Sequence, residues 1–102
     1  MSLNRPPTFN WTDHSYTIQV GGTSQQLMPA NYQRVGVIIQ NLHATEAMWV
    51  KFGGGSAAAS TPGSYQIAAN ATLQIPEYCD PGTIAIVAAT TGHPYSAAEW
   101  GV

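Results

Sequence analysis

The chain has 102 residues and a mass of 10.8 kDa, enough for one modest hydrophobic core and too little for two. Three Lys plus Arg and five Asp plus Glu make 8% charged residues, against about 25% in ordinary soluble domains. So few cations exclude phosphate-driven nucleic-acid binding and attachment to an anionic membrane, the longest apolar run (Ile84 to Ala89) is far short of a spanning helix, and the single Cys79 excludes an internal disulfide framework.

Residues 1–14 differ from the rest. Pro6-Pro7 favours an extended path, and Phe9 and Trp11 are aromatics that disordered tails usually lack. The segment is expected to be an extended arm that docks its aromatics on a partner; a frayed end, or an arm folded back on its own domain, is the alternative. Met1 to Thr8 contains no apolar stretch, so no secretory signal is expected and synthesis in a cytosol is.

From Ser15 the period becomes two. Tyr16, Ile18 and Val20 alternate with polar residues, Gly21-Gly22 offers a turn, and Gln25 to Met28 follows as a second strand. Arg34 to Asn41 carries Val35, Val37 and Ile39 on one face and Gly36, Ile38 and Gln40 on the other, which predicts a central strand covered on both sides. Asn41 could cap a helix through Ala44, Glu46 and Ala47. However, the stretch ends at Gly53-Gly54-Gly55 after about ten residues, short for an unsupported helix. A loop at 42–45 and then a strand with Met48, Val50 and Phe52 inward is the expectation. Residues 53–64 read as a flexible low-complexity surface loop; their triple glycine lacks the lysine and helix of a phosphate-binding loop. Short strands follow at Tyr65 to Ala68, Ala71 to Ile75, Thr83 to Ala89 and Ser96 to Trp100, with turns at Tyr78 to Gly82 and Thr91 to Pro94.

Composition agrees with the pattern. Thirteen Ile and Val against four Leu, with ten Thr and five Tyr, suit a pleated surface, and ten Gly with seven Pro imply many turns. The prediction is an all-β chain: an antiparallel β-sandwich or jelly roll of about eight short strands over residues 15–102, preceded by the extended N-terminal arm over 1–14.

Little in the chain suggests catalysis. His14, His43 and His93 each fall in a loop or arm and are expected to be exposed, and no nucleophile elbow surrounds any serine. Glu77 and Asp80 flank a turn, where Asp serves backbone hydrogen bonds. No closely spaced His with a carboxylate marks a cupin-like metal site. No catalytic residue, metal or cofactor is expected. Trp49 lies opposite the face of Met48, Val50 and Phe52, so it points away from the core if only one face is covered; an outward Trp marks a protein interface or a sugar-stacking platform. Phe9, Trp11, Trp49 and Trp100 are the candidate interface residues.

The segments Arg34 to Asn41, Trp49-Val50-Lys51-Phe52-Gly53, Leu73-Gln74-Ile75-Pro76 and Thr83 to Ala88 carry a resemblance. Over about residues 34–90 the chain resembles small virion proteins of tailed bacteriophages. In these a strand ending in Gln-Asn leads to an aromatic-Val-Lys-Phe-Gly strand, and a Gly-x-Ile-x-Ala segment closes the sandwich. The resemblance implies an antiparallel β-sandwich that decorates a capsid, forms the base of a head fibre or sits in the tail, with no catalytic residues. The arm lies outside the shared pattern. The functional expectation is a structural virion protein, made in the host cytoplasm, that decorates or cements a phage capsid. Its expected partners are the major capsid protein or other virion proteins and further copies of itself, with a trimer matching local threefold axes. The alternative is a tail, receptor-binding or carbohydrate-binding β module, in which Trp49 or Trp100 stacks on sugar rings.

Overall fold

A computed structural model describes residues 10–102. Nine strands and no helix are present among them: β1 (Asn10–Asp13), β2 (Tyr16–Thr17), β3 (Gln25–Met28), β4 (Arg34–Asn41), β5 (Met48–Lys51), β6 (Tyr65–Ile67), β7 (Thr72–Ile75), β8 (Ile84–Val87) and β9 (Pro94–Gly101). They form two antiparallel sheets. One runs β1-β9-β4-β7, with β2 also paired to β9; the other runs β3-β8-β5-β6. This is the predicted β-sandwich.

The core fills from the inward positions that the alternation marks. Val37 and Ile39 on β4, with Tyr95 and Ala97 on β9, face Met48 and Val50 on β5 and Ile84 and Ile86 on β8, all buried. The expected loop-then-strand reading of residues 42–52 holds, with Met48 and Val50 inward and Phe52 packed against the core.

Three local features depart from the sequence reading. Tyr16 to Val20 is not one strand. Pairing stops at Thr17, Ile18 is completely buried, and Tyr16 and Val20 stand exposed. The chain crosses between the sheets here: the Ile18 N–H donates to the His93 carbonyl at 2.9 Å and the Gly92 N–H to the Ile18 carbonyl at 2.7 Å, so Ile18 plugs the gap. On β4 a register shift between Arg34 and Gly36 breaks the alternation and leaves Arg34 buried. The 53–64 loop is packed as well as exposed. Gly53, Gly54 and Gly55 all take positive φ (80°, 90° and 88°), which swings the chain back over the outer face of the second sheet. There Ala57 is buried against Ala85, Val87 and Trp49, and its N–H donates to Ser24 Oγ at 2.9 Å.

Candidate interaction surface

Two of the four predicted interface residues come together. Trp11 on β1 and Trp100 on β9 are register partners, and their rings stack with centroids 5.2 Å apart and planes 4° from parallel. Trp100 lies against Gly36 of the next strand: a Cβ at that glycine would sit 2.4 Å from Trp100 Cζ2. Glycine at this position is what lets the indole settle on the sheet. Trp11 on top keeps 63% of its surface in solvent. The register places Ile38, Gln40, Ser96, Ala98 and Gln74 on the same outer face. Asp13 is its charged neighbour, opposite Ala98; the Ser15 hydroxyl (2.6 Å) and N–H (3.0 Å) hold its carboxyl below the usual value. Trp49 points away from the main core, as its parity predicts, but on the other sheet. It lies half-covered by the 53–64 loop, along a cleft of about 430 Å³ shared with Ala57 and Val87. Phe9 lies outside the described residues. Those at 10–13 pair with β9 of their own chain.

The histidines are not the exposed loop residues that the sequence suggests. His93 is 1% exposed, because the turn that carries it folds under the end of the sandwich. Asn41 organises that end: its Nδ2 donates to the carbonyls of Glu46 (2.8 Å), Ile67 (3.0 Å) and Ala68 (3.2 Å). Its Oδ1 accordingly accepts from His93 Nε2 (2.7 Å) and the His43 N–H (2.9 Å). His93 Nδ1 faces Glu46 Oε1 at 3.1 Å. Hydrogen bonds from the Thr90 hydroxyl and from His93 outweigh desolvation and hold the Glu46 carboxyl down at about 2. Both ring nitrogens of His93 therefore face side-chain oxygens.

His43, Glu46 and His93 place ligand-type atoms within 4.8 Å of one another. Several of these atoms already hold hydrogen bonds. His43 Nδ1 accepts the N–H groups of Glu46 (2.9 Å) and Thr45 (3.1 Å), and its ring stacks on His93 at 4.8 Å. A metal ion here would have to break these bonds, so the cluster reads as a structural closure of one end of the fold.

The opposite end has a matching closure. Arg34 Nε lies 3.2 Å from Glu99 Oε1, with the two side chains 0% and 4% exposed. The guanidinium also donates to the carbonyls of Asp80 (2.7 Å), Gly82 (2.8 Å) and Pro29 (2.8 Å). Burial works to raise the Glu99 carboxyl. Asn31 at 2.7 Å, Arg34, and His14 at 2.6 Å outweigh it and hold the group below its usual value. Two of the eight formal charges thus lie inside the fold, and the exterior is poorer in charge than composition suggests. The one signal in the sequence is that Arg34 and Asn41 bracket the long central strand β4.

On the side where β6 and β7 are edge strands, Phe52, Tyr65, Leu73, Ile75 and Tyr78 line an open cleft of about 400 Å³, with Cys79 at its base and Asp80 beside it. Burial pushes the Cys79 thiol up, away from the reactive thiolate.

Comparison with protein-family models, curated proteins and solved structures finds no match.

Proposed function

We propose that the chain is a structural virion protein that decorates or cements a phage capsid through subunit–subunit contacts and has no enzymatic role. The observation that carries this reading is the outer face of the β1-β9-β4-β7 sheet, a nearly uncharged surface bearing a stacked indole pair whose outer ring, Trp11, is exposed. Interface cores are depleted in charge and enriched in aromatics, and Trp is a frequent anchor. Low total charge acts in the same direction: copies fixed on a lattice bury few ions when they meet, and little desolvation penalty opposes contact. The resemblance of residues 34–90 to phage virion proteins supplies the setting. Its partners would be the major capsid protein and further copies of itself, a trimer suiting the local threefold axes.

Co-sedimentation of the purified protein with undecorated capsids tests this. Saturable loading is expected, with Trp11→Ala reducing it at least tenfold while far-UV circular dichroism stays unchanged. Equal loading of parent and variant, or no loading at all, overturns the reading. A second reading, a carbohydrate-binding module, draws on the solvent-facing ring of Trp11, since an exposed flat indole also stacks on sugars. Retention on a glycan array, lost in the same variant, would favour it.

A further inference from the structure

The cleft between the edge strands β6 and β7 has the composition of a peptide groove. Its floor is apolar, from Phe52, Leu73 and Ile75, and two tyrosines flank it, Tyr65 at 60% and Tyr78 at 93% exposure. Tyr78 has φ of 62°, a conformation in which a bulky L residue is strained. The turn that displays it is nonetheless fixed from inside. The Cys79 N–H donates to the Val35 carbonyl at 3.1 Å, and buried Arg34 holds the Asp80 and Gly82 carbonyls. A turn backbone fixed in this way sets where the exposed ring is presented, which lowers the cost of contact. The charge beside the cleft is negative, from Asp80 and its exposed neighbour Glu77.

Aromatic-walled grooves suit the polyproline conformation, whose rings pack on aromatic faces and whose backbone is already extended. An acidic rim selects a cation beside the prolines. The chain itself contains such a segment, Arg5-Pro6-Pro7, which lies outside the described residues. Its other cations are placed elsewhere: Arg34 is buried and Lys51 is on the outer face of the β3-β8-β5-β6 sheet.

We propose that this cleft takes the Arg5-Pro6-Pro7 segment of a second copy of the chain, with the prolines on Tyr65 and Tyr78 and the guanidinium at Asp80. A second copy is favoured over the same chain by reach. Asn10 lies on the β1 edge of its sheet and the cleft on the β7 edge, three strand spacings or about 14 Å away. The five residues from Arg5 to Asn10 span about 17 Å only when fully extended, leaving almost no slack to round the sheet end. A neighbour's segment meets no such limit. The contact does not depend on the capsid reading.

Sedimentation equilibrium of the full chain tests it with two variants. Tyr78→Gly removes the ring while suiting the positive φ, so the fold is retained; Arg5→Glu combined with Pro6→Ala and Pro7→Ala alters only the segment. Each is expected to weaken self-association at least tenfold. Mixing the two is expected to restore a heterodimer, because the mixture pairs an intact cleft with an intact segment. Parent-like association of either variant, no heterodimer on mixing, or a monomeric parent overturns the proposal. Loss of capsid loading with self-association intact would count against the capsid reading alone.

Discussion

Arg34 and Glu99 face each other across β4 and β9, Nε to Oε1 at 3.2 Å, and neither side chain reaches solvent to any useful extent. The guanidinium is satisfied by three backbone carbonyls as well as the carboxylate, and these carbonyls come from the β3–β4 and β7–β8 connections. One side chain thereby ties two loops to the central strand pair. Arg34→Met should therefore cost about 3–5 kcal/mol, the penalty of leaving a buried charge unpaired. The double variant Arg34→Met, Glu99→Leu should recover part of that loss, since it removes the orphaned carboxylate. Urea denaturation of the three proteins checks both statements, and a single variant within about 1 kcal/mol of the parent would contradict the first.

Acid should act on both ends of the sandwich. The Glu46 carboxyl is lowered from 4.5 to about 2, and Glu99 is lowered as well. For a carboxyl whose folded value lies below its unfolded one, the unfolded chain binds protons first as pH falls. The stabilisation is complete above about pH 4.5 and is lost on descending from there towards pH 2. Urea midpoints measured from pH 7 to pH 2 should hold steady at first and then fall. Glu46→Gln should start lower and fall less. A Glu46→Gln profile parallel to the parent would show that the Thr90 and His93 contacts do not hold this carboxylate.

The strands β4, β5 and β8 are legible in sequence because their inward apolar pairs, Val37 and Ile39, Met48 and Val50, and Ile84 and Ile86, recur at a period of two. The outward direction of Trp49 follows from the same parity. The polar closures are not legible. Arg34 and Glu99 are 65 residues apart and His93 and Asn41 are 52 apart, and only the placing of β9 beside β4 brings them together. His93 looked like a turn residue because its neighbours Gly92 and Pro94 are turn formers, whereas its burial depends on an acceptor supplied by β4. The covering of Trp49 by Ala57 was hidden for another reason: a Gly-Ala-Ser segment has no periodicity from which a packed face can be inferred. Tyr16 and Val20 misled in the opposite direction, since their alternation is genuine but the chain leaves the sheet between them.

Cys79 should be a slow thiol. It is 6% exposed, and burial raises its pKa, so little thiolate is present near neutral pH. Reaction with a disulfide reagent at pH 8 should be at least tenfold slower in native protein than in urea. Cys79→Ala should cost about 1 kcal/mol, as expected for a small buried group that loses only packing. Fast native labelling would mean that the 76–81 turn opens readily, and would weaken the case for a fixed turn beneath Tyr78.

Gly36 should control the indole pair. Its missing side chain makes room for Trp100, since an added Cβ would meet Cζ2 at 2.4 Å and the Ile75 carbonyl oxygen at 2.7 Å. The carbonyl belongs to a paired strand, so the ring must move and the β4 backbone must shift locally as well. Gly36→Ala should therefore lift Trp100 off the sheet and destabilise the protein by about 1–3 kcal/mol, the range for overpacking. The stack itself can be read separately. A double-mutant cycle of Trp11→Ala and Trp100→Ala should give a coupling of about 0.5–1.5 kcal/mol, the range for aromatic pairs. Repeated in the Gly36→Ala background, the cycle should give a coupling near zero, because the displaced ring no longer presents its face to Trp11. A coupling unchanged by Gly36→Ala would mean that the two indoles move together and that the glycine does not position them. A coupling absent from the parent would remove the stacked aromatic platform on which the interface reading rests.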